Sequence, residues 1–202
     1  MRHLSTHDSD DSILNAFSEI YLHGEWYDAD ITYSKGVFYQ DSGKEPKEAY
    51  DLLPIDEEII EQDSQLCDKM HDNSYKSIIF DPPFLFRDRK SDNNDKMCGR
   101  FSYFKTYDDL INMYRNTLIA VHKKLVNNGY LFFKCQDMTD GKFYCTHYEV
   151  IKMAQEIGYQ LKDIGIKISK SKLQRDAKQQ NCLAKTHSYW LVLRKKKIIG
   201  DK

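Results

Sequence analysis

The sequence predicts an α/β domain built on a mostly parallel sheet, and two observations carry that prediction. Short, nearly continuous apolar runs alternate with segments of helical period, as happens when strands are buried on both faces by crossover helices. The early runs also share an ending, each meeting an acid or polar residue at its C-terminal tip, where open α/β sheets bind ligands.

The elements follow in order. "DITYSKGVFY" (30–39) is β-branched and aromatic at its start and breaks at Ser34, Lys35 and Gly36, which predicts a short strand running into a turn. "EAYDLLP" (48–54) and "EEIIEQDS" (57–64) are short apolar pieces that run into acids, and "YKSIIF" (75–80) has the apolar character of a central strand. Leu110, Met113, Tyr114, Thr117, Leu118, Val121 and Leu125 recur at spacings of three and four, which predicts an amphipathic helix. Asp108 and Asp109 favour its start, Lys123 and Lys124 its end, and "NNG" is expected to stop it. "YLFFKCQD" (130–137) predicts a buried strand and "THYEVIKMAQEIGYQ" (146–160) a second helix ending near Gly158. "LKDIGIKIS" and "HSYWLVLRK" predict a final, antiparallel pair of strands.

With 202 residues and no internal repeat, the chain predicts one domain with a real core: a catalytic unit over 26–197, an N-terminal extension at 1–25 and a tail at 198–202. The five cysteines are widely spaced and form no CxxC pair, so neither a disulfide framework nor a zinc site is expected. His147 and His187 show no metal-partner pattern, and no metal is expected. No secretory leader or membrane span is recognisable, so a cytoplasmic protein is expected, without a membrane partner.

The chemistry concentrates in "DPPF" (81–84). An acid at a strand tip accepts one hydrogen of a planar amine, the Pro82 carbonyl on a rigid Pro-Pro backbone accepts the other, and Phe84 offers a face to the ring that carries the amine. Two such acceptors draw the nitrogen out of conjugation and free its lone pair for a methyl sulfonium.

In this respect the sequence resembles the S-adenosylmethionine-dependent amino-group methyltransferases, whose hallmark is [DNS]-P-P-[FYW] after the fourth strand. The resemblance spans roughly residues 26 to 195 and, through "FDPPFL", "FKCQD" and "AKTHSYWLVL", is similar in particular to small phage or bacterial DNA methyltransferases that lack a large recognition domain. It implies a Rossmann-like class I methyltransferase fold: seven strands, mostly parallel, the last antiparallel. It implies Asp81, Pro82, Pro83 and Phe84 as the catalytic set. Asp30, Thr32, Tyr33, Ser34 and Gly36 stand in the cofactor's first motif, with Ser34 where the family has glycine. Asp51 stands where an acid meets the ribose hydroxyls, and Asp63, with Ser64, where one meets the adenine amine.

The charge distribution points to a nucleic-acid partner. Residues 161–202 hold twelve Lys and Arg against three Asp, although the whole chain carries a net charge of -1. Arg87, Arg89, Lys134, Gln136, Lys170, Lys172 and Arg175 are the expected substrate contacts, with 85–104 and 170–186 as substrate loops. The expected reaction is methylation of a base amine in DNA, adenine N6 first and cytosine N4 as the other target. An RNA base-amine methyltransferase and a non-catalytic nucleic-acid-binding phage protein are the alternatives.

Overall fold

The computed structural model describes residues 3–86, 104–169 and 183–196. In chain order the elements are β1 (Thr6–His7), α1 (Asp10–Tyr21), β2 (Ala29–Asp30), a 3-10 turn (Val37–Tyr39), β3 (Glu48–Asp51), β4 (Ile60–Glu61), β5 (Tyr75–Phe80), α2 (Tyr107–Lys124), β6 (Leu125–Cys135), β7 (Met138–Asp140), β8 (Lys142–Tyr144), α3 (Thr146–Ile157), β9 (Tyr159–Ile168) and β10 (His187–Lys195). The main sheet has the order β1-β9-β10-β6-β5-β2-β3-β4, and β7 pairs with β8 in a separate hairpin. The neighbours from β4 to β6 are parallel, whereas β10 runs antiparallel to both β6 and β9. The predicted α/β class and antiparallel finish are both present. The sheet has eight strands rather than seven, because two polar residues, Thr6 and His7, add a parallel edge beside Ile166 and Lys167.

β5 lies at the centre of the sheet. Ile78 and Phe80 pack on one face with Leu118 and Val121 of α2, while Ile79 packs on the other with Ile13, Leu14 and Phe17 of α1. Covering both faces explains why this strand reads as a continuous apolar run. The stretch read as an extension, 1–25, thus supplies β1 and the helix that closes one side of the sheet. α1 is started by Ser9, whose side chain accepts from the Ser12 amide, and docks closely enough that a Cβ on Gly165 of β9 would collide with the Ile13 side chain.

α2 opens with a capping box between Thr106 and Asp109, and every predicted apolar position from Leu110 to Val121 is buried. "NNG" does not stop it. The helix ends at Lys124 because Leu125 turns to extended backbone and begins β6, and Asn128 then bends the chain at φ 67 inside that strand. α3 ends at Gly158, whose φ of 120 only glycine adopts readily. Among the described residues, no helix is long and apolar enough to cross a membrane.

The parallel strands β4-β3-β2-β5-β6 follow the doubly wound order 3-2-1-4-5. That order puts the reversal of winding, and hence the ligand crevice, between the carboxyl ends of β2 and β5.

Candidate active site

At that reversal the backbone sets two carboxylates side by side. Asp30 ends β2 and is 1 % exposed; its Oδ1 accepts from the Thr32 amide at 2.8 Å and its Oδ2 from the Tyr39 hydroxyl at 2.6 Å. Thr32 in turn accepts the Asp81 amide on Oγ1 at 2.7 Å, which ties the tip of β2 to the tip of β5. Burial pushes the Asp30 carboxyl up to about 7, partly offset by the bonds from Tyr39 and Thr32.

Asp81 follows β5 directly. Burial raises its carboxyl to about 6, the Lys134 ammonium pulls it partly back, and Asp10 adds a smaller upward push. Lys134 Nζ lies 3.5 Å from Asp81 Oδ2 and 3.0 Å from Asp10 Oδ1. The other oxygen, Asp81 Oδ1, is buried and meets no donor. Such an acceptor is costly unless a ligand completes it. Beside it, the Pro83 carbonyl accepts from Tyr114 at 2.7 Å, whereas among the described residues no hydrogen bond reaches the Pro82 carbonyl. The Phe84 ring stands 5.8 Å from Lys134 Nζ, and Phe38 and Trp190 complete an aromatic enclosure around that ammonium at 4.4 and 5.6 Å.

A cleft runs from Asp81 across the tips of the parallel strands. Thr32, Ser34, Asp51, Asp63, Ser64, Asp81 and Pro83 of the sequence-expected set line it, together with the apolar Ile31, Leu52 and Met113 and the amides Gln62 and Gln65. Gln62 is 3 % exposed: its Oε1 accepts from the Lys69 amide, but its Nε2 is buried without an acceptor. Two of the residues that line the cleft, Asp81 and Gln62, thus each carry a buried polar atom without a partner, one an acceptor and one a donor.

Ser34, at the expected glycine position, adopts φ 55 in the left-handed region. Its amide donates to Asp51 Oδ2 at 2.8 Å, and the other Asp51 oxygen accepts from Leu53 at 2.8 Å, so this carboxylate fixes the turn that it borders. Gly36, at φ 61, lies under the Tyr33 ring, whose hydroxyl donates to Glu45 and whose face stacks on Tyr39 at 5.6 Å. Tyr33 and Gly36 thus shape the turn and are not among the cleft's lining residues.

Gln136 is occupied, donating to the His187 carbonyl at 2.8 Å and joining β6 to β10. Arg87, Arg89, Lys170, Lys172 and Arg175, and most of both expected substrate loops, lie outside the described residues. Sequence reasoning missed Gln62 and the partners of Lys134, namely Asp10, Phe38 and Trp190. Asp10 accepts from Trp190 Nε1 at 2.9 Å across 180 positions, a juxtaposition no local pattern encodes.

No family model and no curated protein matches the sequence. Among solved structures, the chain is similar to the N-methyltransferase NodS from Bradyrhizobium japonicum WM9 in complex with S-adenosyl-L-homocysteine, with 12% identity over 94% of this chain and 90% of that chain and a TM-score of 0.54. It is also similar to the [4+2]-cyclase SpnF, with 8% identity over 92% and 81% of the two chains and a TM-score of 0.55. A Thermus thermophilus protein assigned as a DNA modification methylase overlaps less, with 13% identity, 69% of this chain covered and a TM-score of 0.46; this chain spans about half its length, 53%. A cyclase among the matches shows that the architecture serves more than one reaction. What sheet order and likeness establish together is the Rossmann-like class I methyltransferase fold.

Proposed function

We propose that the protein methylates the exocyclic amine of a base in DNA, with adenine N6 as the target atom and S-adenosylmethionine as the methyl donor. The observation that carries this reading is the buried, unpartnered Oδ1 of Asp81, with the carbonyl of the next residue in the chain, Pro82, as the second acceptor. An amine bound there donates one hydrogen to each acceptor, which frees the nitrogen lone pair for attack and leaves Asp81 placed to hold the departing proton. Phe84 offers its ring face to the base, and Lys134 balances the carboxylate from the opposite side.

The cleft residues fit the donor. Asp51 and Asp63 present acceptors for hydroxyl and amine hydrogens, the Gln62 Nε2 a donor, and Ile31, Leu52 and Met113 apolar walls for a flat ring. When bound, S-adenosylmethionine supplies an electrophilic methyl group. The shared fold with NodS, whose structure holds S-adenosyl-L-homocysteine, supports that cofactor. The DNA assignment draws on the "DPPF" resemblance and on the nine-charge surplus over 161–202, from twelve Lys and Arg less three Asp. On duplex DNA the base must leave the stack, at about a few kcal/mol, which contacts between basic side chains and phosphate would offset.

Methyl-labelled cofactor incubated with DNA and with RNA tests the proposal. Label is expected in DNA and is expected to fall by about 10²–10³ with Asp81→Ala. Label in RNA alone would move the substrate to RNA, and failure of the cofactor to bind in a calorimetric titration would remove the enzymatic reading.

A further inference from the structure

Beyond the cleft, the tip of β6 brings three ligand-bearing side chains to one point. Asp137, two residues past β6, is 5 % exposed. Its Oδ1 lies 2.8 Å from Nδ1 of His147, and Cys145 Sγ lies 3.8 Å from that same nitrogen. All three ligand atoms fall within 4.8 Å of one another. The β7–β8 hairpin causes this convergence by returning the chain from Asp137 to Cys145 at the start of α3.

We propose that Asp137, Cys145 and His147 bind a divalent transition-metal ion of the zinc class, with a fourth position left for solvent. The oxygen, sulfur and nitrogen donors suit that ion. Tetrahedral coordination at usual bond lengths needs donor separations of about 3.3–3.6 Å, so the metal draws the thiolate in and opens the Asp–His contact by about half an ångström.

Two alternatives fit less well. In a nucleophile–base–acid relay the thiol and the carboxylate serve opposite nitrogens of the imidazole, whereas here both converge on Nδ1. As a plain cap, Asp137 accepts the His147 amide at 3.2 Å, but that role gives no part to Cys145. Among the described residues, the ion-pair partner of the buried Asp137 is His147, a cation only when its imidazole is protonated, whereas a divalent metal supplies positive charge with the imidazole neutral. Supporting groups are present: the Tyr189 hydroxyl donates to Asp137 Oδ2 at 3.4 Å, its ring stacks on His147 at 4.2 Å, and His187 Nε2 lies 3.0 Å from that hydroxyl. The ion would fasten the hairpin and α3 to the tip of β6, one strand away from Asp81.

Cobalt(II), followed by optical absorption and displaced with zinc, tests the proposal on the full chain. The native protein is expected to bind one equivalent, with visible d–d bands and thiolate-to-cobalt charge transfer. Cys145→Ser is expected to lose the charge-transfer band. His147→Ala is expected to bind at least about tenfold more weakly, and Tyr189→Phe to keep the band with weaker binding. Circular dichroism of the metal-free variants checks that they fold, and His147→Ala decides the matter should Cys145→Ser not fold. Absence of the bands at one equivalent, or their persistence at native affinity in a folded Cys145→Ser or His147→Ala variant, overturns the proposal.

Discussion

Asp81 stood out as a candidate because an acid and two prolines close a buried apolar run at a strand tip, where an open α/β sheet has its crevice; its unmet oxygen and its pairing with Lys134 required the fold. With the carboxyl near 6, methyl transfer is expected to fall about tenfold between pH 7 and pH 5, since only the ionised form is a full acceptor. Asp81→Asn keeps an acceptor oxygen and cannot titrate, so its pH profile is expected to lose that acid limb; an unchanged limb would assign it to another group. Stability has the opposite sign. Asp30 and Asp81 hold protons in the folded chain up to about 7 and 6, whereas unfolded carboxyls release theirs near pH 4. The folded state therefore binds more protons between roughly pH 4 and 7, and the contribution of these two groups to stability falls as pH rises through that window. Urea unfolding should show Asp81→Asn gaining on the native chain from pH 5 to pH 7.5, on the order of 1–2 kcal/mol. Ser34, at φ 55, carries strain of its own, and Ser34→Gly is expected to relieve about 1 kcal/mol without loss of the Asp51 contact, which is made through the backbone amide. A thermal midpoint below that of the native chain would contradict this.

The elements that were legible carry their signals locally. α2 shows its apolar period and its capping residues in one stretch, and α3 announces its end with Gly158. α1 does have a Ser9 cap and apolar Ile13, Leu14 and Phe17, but acids dominate its first turn and its partners lie far along the chain on β5, β6, β9 and β10. The two- and three-residue strands β1, β7 and β8 are too short for any period to register. Docking of α1 delivers Asp10 to Lys134, which is 7 % exposed and bridges Asp10 and Asp81. Lys134→Met leaves Asp81 without its ion-pair partner and Asp10 with Lys167 alone, at 3.8 Å, and is expected to cost about 3 kcal/mol in urea unfolding, with part of it recovered by adding Asp10→Asn. Strictly additive losses in the double variant would show that the pair is not coupled.

For the whole molecule, the parallel core and the crevice at its reversal point were legible because strand burial and polar tips are written into each segment separately. Which tips share one cleft was not, since Asp51, Asp63 and Asp81 meet only through the order β4-β3-β2-β5. The basic C-terminal region divides once folded: Lys195 is buried and donates to the Leu125 carbonyl at 2.8 Å, and Lys167 approaches Asp10 at 3.8 Å, so neither is a plain surface charge. The remaining surplus is the part that would meet phosphate. Methyl transfer to a base amine is the central claim, and nucleoside mass spectrometry tests it most directly, on unmethylated DNA incubated with the protein and S-adenosylmethionine and then digested. N6-methyldeoxyadenosine should appear with the native chain and be nearly absent with Asp81→Ala. A digest with no methylated amine on any base, from a preparation shown to bind the cofactor, would contradict it.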